Sequence, residues 1–376
     1  MHSQQLVLNK GNWETYGDDL LAPQLILAMG EYGKITDRKN FDFLREKYPN
    51  ANLVTASTSA DIRKSQVLEN SIVATALKFD STPIKFSLKN IGEAESAFEL
   101  GKGLFKELEA EDLVHILVIS DGILVNGSEL VGGLDYYNDK KIIITGGLAG
   151  DGAKFEHTCV GLNTYPEDGN VVAIGFYGKH IKIGHGCQGG WDPFGPERVI
   201  TKSDRNILYQ LDNQSALSLY KKYLGPLSDE LPGSALLFPL NLKSNEQEEG
   251  IVRTILAVDE NQQSMTFAGN MPQGGRVQLM KAGFEKLVDG AAGAATESIE
   301  SFLLDKPDFA LLISCVGRKL VMNQRIDDEV EVVQVILGND VCLAGFYSNG
   351  EISPLVSNRK CELHNQSMTI TTYKEI

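Results

Sequence analysis

The sequence has no run of about 18 apolar residues, and its opening MHSQQLVLNKGNWETYGDDL lacks the basic and then apolar pattern of an export signal. A cytoplasmic protein is therefore expected. Positive charge is also scarce: 35 Lys and Arg stand against 50 Asp and Glu, a formal net charge of -15. That balance opposes the phosphate field of nucleic acid and of anionic membranes, so neither is an expected partner. No CxxC pair occurs among Cys159, Cys187, Cys315, Cys342 and Cys361. Their odd number and wide spacing read as reduced thiols in or near cores, and argue against a closed zinc site. No G-x-S-x-G is present, and the serines that follow apolar runs, Ser57, Ser59, Ser120 and Ser314, have no evident histidine partner. An enzyme is the weaker class.

What is present reads as folded throughout: 376 residues with 42% hydrophobic and 23% charged residues suit two packed units. Residues 25–29, 52–56 and 72–79 read as strands, with a helix at 40–47 between the first two. Ala97, Gly101, Leu104, Phe105 and Leu108 recur at helical spacing. Residues 113–119 and 142–144 are nearly continuous apolar runs, the pattern of central strands covered on both faces. Strands at 170–177 and 180–184 close the first half.

The second half shows a similar order. Residues 309–315 line up with 115–120, residues 341–346 with 142–148, and residues 361–373 with 159–177, while Ile326, Val330, Val333 and Leu337 mark an intervening amphipathic helix. The expected fold is mixed α/β (α+β), with two related halves of mixed sheet flanked by helices, residues 25–177 matching 251–373. Stacked together they give a four-layer αββα arrangement. The division falls at residues 20–183 and 184–376, across a Gly- and Pro-rich connector at 184–196 that Trp191 and Phe194 hold against the junction. A helix is expected at 206–224 and an exposed loop at 241–250.

Few motifs carry chemistry. Residues 146–152, GGLAGDG, follow a strand and read first as a tight turn, although such glycines also let backbone amides approach a ligand; the lysine of a P-loop is missing. Asp151 reads as a turn or capping residue, and Asp327, Asp328 and Glu329 as solvated charge at a helix start. Of six histidines, His115 reads as a core imidazole, and His157 and His180 as surface residues. Strand alternation puts His185 on the face of Ile181 and Ile183, beside an interior pocket or in the core. His364 lies among polar residues in a strand-like stretch, CELHNQS, which needs a hydrogen-bond network or a ligand to satisfy it.

The segments at 146–158 (GGLAGDGAKFEHT), 191–225 (WDPFGPERVITKSDRNILYQLDNQSALSLYKKYLG), 314–331 (SCVGRKLVMNQRIDDEVE), 345–354 (GFYSNGEISP) and 361–373 (CELHNQSMTITTY) together resemble the FIST family of tandem N- and C-terminal sensory domains. The resemblance covers most of the chain. Where family members carry Gly-Cys-Ser/Thr, this chain has VTASTSA at 54–60, so a contact made through that cysteine does not carry over. The resemblance implies a bacterial signalling receptor for a small ligand such as an amino acid. For the stand-alone, NosP-type subset it implies haem b, nitric oxide sensing, and control of a separate histidine kinase or cyclic-di-GMP enzyme, with room for a homodimer. On that reading His364 is the first candidate iron ligand and His185 the second, Glu362 orients the imidazole, and Gly147 and Gly150 contact the cofactor.

Overall fold

The computed structural model describes every residue except 153, 245–249, 303, 304 and 356–359. Its body is one unit repeated three times. The first repeat comprises β1 (His2–Asn9), β2 (Leu25–Gly30), helices α1 (Tyr32–Ile35) and α2 (Arg38–Lys47), β3 (Asn52–Ser57) and β4 (Ile72–Lys78). The second comprises β5 (Ile84–Asn90), α3 (Ala97–Leu108), β6 (Leu113–Ser120), α4 (Gly127–Asp135), β7 (Ile143–Leu148) and β8 (Asn170–Tyr177). The third starts with β9 (Ile181–Gln188) and is interrupted by an inserted β-domain carrying α5 (Ala216–Leu224). It resumes with α6 (Phe284–Ile299), β10 (Phe309–Cys315), α7 (Val316–Met322), α8 (Asp327–Leu337), β11 (Cys342–Ser348) and β12 (Met368–Glu375).

In every repeat the second and third strands are parallel, as a helical crossover requires, and the fourth lies antiparallel between the second and the first. The registers coincide. Leu27, Leu117 and Leu311 hold equivalent positions, opposite Thr75, Ile174 and Thr371. Opposite those in turn stand Gln5, Phe86 and His185.

Between its third and fourth strands each repeat sends an arm to another sheet. The first arm (Asp61–Arg63 and Gln66–Leu68) pairs with β11, the second (Val160–Leu162) with β3, and the third (Gly350–Pro354 and Cys361–His364) with β7. The exchange is cyclic. Backbone bonds close it at one end: Ser59 N donates to Tyr347 O (2.9 Å), Asn349 N to Leu148 O (3.2 Å) and Gly150 N to Ser57 O (2.9 Å).

The alternating apolar residues of all three sheets meet in one core that includes Leu27, Val54, Leu117, Ile174, Leu311, Phe346 and Tyr373. The opposite faces are covered separately: α1 and α2 on the first sheet, α3 and α4 on the second, α6 and α8 on the third. The strand-by-strand match of residues 115–177 with 309–373 is present, but the wider match of 25–177 with 251–373 is not, since residues 251–282 belong to the inserted domain and 25–57 to a separate sheet. Because there is a further copy at the N-terminus, three sheets surround one axis in place of the expected four stacked layers.

Four expectations of detail are corrected. Residues 184–196 are not an irregular connector: they belong to β9 and to the strand Trp191–Asp204. Gly184 and Gly186 are there because a Cβ would lie 1.9 Å from Ser298 O and 2.1 Å from Ala294 O of α6. The helix at 206–224 is shorter, since Ile207–Leu211 is a strand, Asp212 and Asn213 turn the chain with φ of 48° and 60°, and Ser215 caps α5 by accepting from Ser218 N (3.1 Å). In the loop expected at 241–250, Leu240–Lys243 is a strand, and residues 245–249 lie outside the described residues. Glu329 is not solvated: it is fully buried, bonded to Arg318 Nε (3.0 Å) and Nη2 (2.7 Å), Ser314 Oγ (3.0 Å) and Tyr347 Oη (2.5 Å). Burial of a fully bonded ion pair ties α7 and α8 to the sheet.

Trp191 is buried at the junction as expected, its indole N–H donating to Gln366 O (2.8 Å). The inserted domain has its own core around Leu208, Leu217, Leu242, Met265 and Phe267.

Gly147 sits inside the shared core, where a Cβ would lie 2.6 Å from Ile313 Cγ2 and 3.3 Å from Phe346 Cζ. Gly147→Val is therefore expected to destabilise the protein by about 1–3 kcal/mol through overpacking. The urea midpoint measures it; an unchanged midpoint would show that the sheets are not packed this closely.

Candidate functional site

The three sheets meet at three seams, where the first strand of one repeat faces the third strand of another. At one seam Gln5 Nε2 donates across to Leu343 O (3.0 Å), and at a second Phe86 packs against the shared core. At the equivalent position of the third seam, His185 lines a cavity of about 600 Å³. Strand alternation puts Ile183, His185 and Cys187 on one face of β9, and all three line it. Ile143 of β7, Pro354 and Leu355 at the end of the third arm's first strand, and Glu297 of α6 complete the wall. Exposed Lys141 and Glu300 stand at the mouth.

Cys187 lies between the two candidate histidines. Its N–H donates to Glu297 Oε2 (3.3 Å), and Thr369 Oγ1 donates to its sulfur (3.3 Å). Burial alone would raise the thiol, but the His364 imidazole beside it, with the Thr369 and Ser367 hydroxyls, holds it below its ordinary range. His364 responds in the opposite sense. Burial would lower it, yet the Cys187 sulfur, Glu362 and the Ser353 carbonyl push it up to about 9. Since a carbonyl only accepts, His364 Nε2 donates to Ser353 O (3.1 Å).

His364 thus stands behind the cavity wall and His185 in it. Glu362 does not orient the imidazole by a hydrogen bond: its Oε1 accepts from Arg253 Nη2 of the inserted domain (3.2 Å), while Arg253 Nη1 donates to Leu363 O (2.8 Å). Asn365 Oδ1 accepts from Thr254 N (3.3 Å), and Gln366 Nε2 donates to Leu236 O (3.0 Å). The polar density of CELHNQS fastens the inserted domain to the body.

Gly147 is in the shared core, away from the cavity. Gly150 lies where a Cβ would come within 2.6 Å of Ser59 Oγ. Both glycines admit neighbouring chain. His115 is a core residue, kept neutral by burial that lowers it to about 3; its Nε2 pairs with Thr145 Oγ1 (3.0 Å), and its Nδ1 has no partner. His157 and His180 are exposed.

Sequence reasoning missed Cys187. The signal was its i+2 spacing from His185, hidden because Gly184 and Gly186 made residues 184–188 read as a connector.

A second, polar pocket of about 240 Å³ opens where β2 and β3 end. Glu31, Asp61, Glu156, Lys319 and Gly152 are among its lining residues. Asp151, at its edge, acts as the expected cap, accepting from Phe155 N (3.0 Å), Glu156 N (2.7 Å) and His157 N (3.0 Å). Lys319 Nζ donates to Ser59 O (3.0 Å). Burial raises the Asp61 carboxyl to about 8 despite hydrogen bonds from Ser71 and Thr58, and raises Glu351 to about 7.

A carboxyl whose folded value exceeds its unfolded one, about 3.9 for Asp, favours the folded state while protonated. Its contribution is complete below about pH 4 and is lost as pH rises through about 8 for Asp61. Asp61→Asn keeps the shape and removes this titration. It is expected to melt close to wild type at pH 4 and above it at pH 8; parallel melting-temperature profiles across that window would refute the assignment.

Comparison with known proteins places the whole arrangement. The chain matches the family model of the FIST N domain over residues 24–214 and that of the FIST C domain over residues 216–354. No curated protein matches it. Spanning most of the sequence and both the repeats and the inserted domain, these matches establish that the chain belongs to the FIST family, whose domains are sensory modules of signal transduction.

Proposed function

We propose that this protein is a sensor that holds haem b in the seam cavity, responds there to nitric oxide, and regulates a separate histidine kinase or cyclic-di-GMP enzyme. The supporting observation is the broken symmetry. Of three equivalent register positions, the one occupied by His185 faces a cavity of about 600 Å³, within the range of ligand sites. Its donor set fits the group: an imidazole and a thiol on β9, apolar Ile143, Ile183, Pro354 and Leu355 for a flat ring, and Lys141 at the mouth for carboxylates. When bound, haem supplies an iron that takes a diatomic gas. The chain's part is to hold the ring against Ile143, Ile183, Pro354 and Leu355 and to connect the cavity to the inserted domain through the third arm, which Arg253 grips.

A second reading, a haem-free receptor for an amino acid, draws support from the polar pocket, whose lining carries carboxylates and Lys319 together.

Titration of the purified protein with haemin is expected to give a saturable Soret band that shifts with nitric oxide. Ile183→Trp, filling the cavity, should abolish the band while circular dichroism is unchanged. The loaded protein should alter the autophosphorylation or cyclase rate of its partner according to nitric oxide. No Soret band, with melting raised by an amino acid, would reject haem in favour of the second reading.

A further inference from the structure

β9 offers two donor side chains to the seam cavity, His185 and Cys187, two residues apart on the same face. Neighbours on one strand face approach a flat ring from the same side, and a porphyrin leaves one axial position on each side. Only one of the two serves. We infer that Cys187 is the residue that binds the iron of the haem proposed above, and that His364 is its positioning residue.

The first argument is the comparison of repeats. At the position of Cys187 and its cross-strand partner, the first repeat has Val7 opposite Val73 and the second has Leu88 opposite Val172. The third has Cys187 opposite Thr369. An apolar pair in two repeats is replaced by a thiol and a hydroxyl in the third, whose seam opens into the cavity. Packing alone gives no reason for that exchange, because in the first repeat the buried Val7 fills the same place.

The second argument is the environment of the sulfur. Thr369 Oγ1 donates to it at 3.3 Å, and the His364 imidazole and the Ser367 hydroxyl lie beside it. Metal-bound sulfur is tuned by such donors, and ligands are oriented by an outer shell of hydrogen bonds. Here that shell is itself fixed. His364 is tied through Nε2 to Ser353 O (3.1 Å), Ser367 Oγ donates to Glu351 Oε2 (2.9 Å), and the Cys187 main chain is held by Glu297. His364 therefore acts on the site through the sulfur.

The inference rests on the haem reading, and one set of measurements separates the two. Full-length wild type, Cys187→Ser, Cys187→Ala, His185→Ala and His364→Gln are each checked for folding by circular dichroism and titrated with haemin. Wild type is expected to show the red-shifted ferrous carbonyl band of thiolate ligation. Cys187→Ser and Cys187→Ala should lose that band and bind haemin at least tenfold more weakly. His185→Ala should keep it. His364→Gln should keep thiolate ligation but shift the band and weaken haemin about tenfold, as loss of an outer-shell partner does. Independently of the variants, haemin should protect Cys187, but not Cys342, from iodoacetamide in wild type, read by peptide mass spectrometry. If the Cys187 variants keep the wild-type spectrum while His185→Ala loses it, the iron is on His185 and the inference is overturned with the haem reading intact. If wild type takes up no haemin, both fall together.

Discussion

Each of the three sheets ends on a strand that another repeat supplies. A β-sheet edge exposes unpaired N–H and C=O groups, and here the exposed edge of β3, β7 or β11 is paired by the arm of a different repeat. The apolar faces gain the same way. Leu27, Leu117 and Leu311 are buried only when all three sheets stand around the axis, so core burial and edge pairing form together. The close approach this demands excludes a side chain at Gly147, where a Cβ would lie 2.6 Å from Ile313 Cγ2.

Against that near-symmetry, the differences between repeats become informative. The third repeat is the one interrupted by the inserted domain, and its arm carries the contacts that hold that domain: Leu363 O and Glu362 to Arg253, and Asn365 to Thr254. The same arm ends its first strand at Pro354, on the wall of the seam cavity. Cavity and inserted domain thus share one structural element, so a change in the cavity that displaces the arm bears directly on the domain. Arg253 is nearly fully buried, and Glu362 is its ion-pair partner among the described residues.

The strands at 113–120, 309–315 and 342–348 were legible because strands covered on both faces leave long apolar runs, and the correspondence of the second and third repeats was legible for the same reason. The first repeat escaped notice as a copy since its arm, DIR and QVL, is short and its crossover helices bury only Ile35 and Leu44 fully. Glu329 was misjudged because a helix start rich in Asp and Glu looks solvated whether or not an arginine eleven residues away folds back onto it.

The sequence by itself determined the elements, the family and the residue types available for chemistry, since each follows from local periodicity and from motifs contiguous in the chain. Only the tertiary structure decided which of them meet. His364 and Cys187 are far apart in sequence and adjacent in space because an arm crosses to a neighbouring sheet. Gly147, contiguous with a ligand-like loop, is enclosed by Ile313 and Phe346 because the second and third sheets meet in the shared core. Side chains from different repeats are brought together by pairing across the seams, and that pairing leaves no trace in the spacing of residues along the chain.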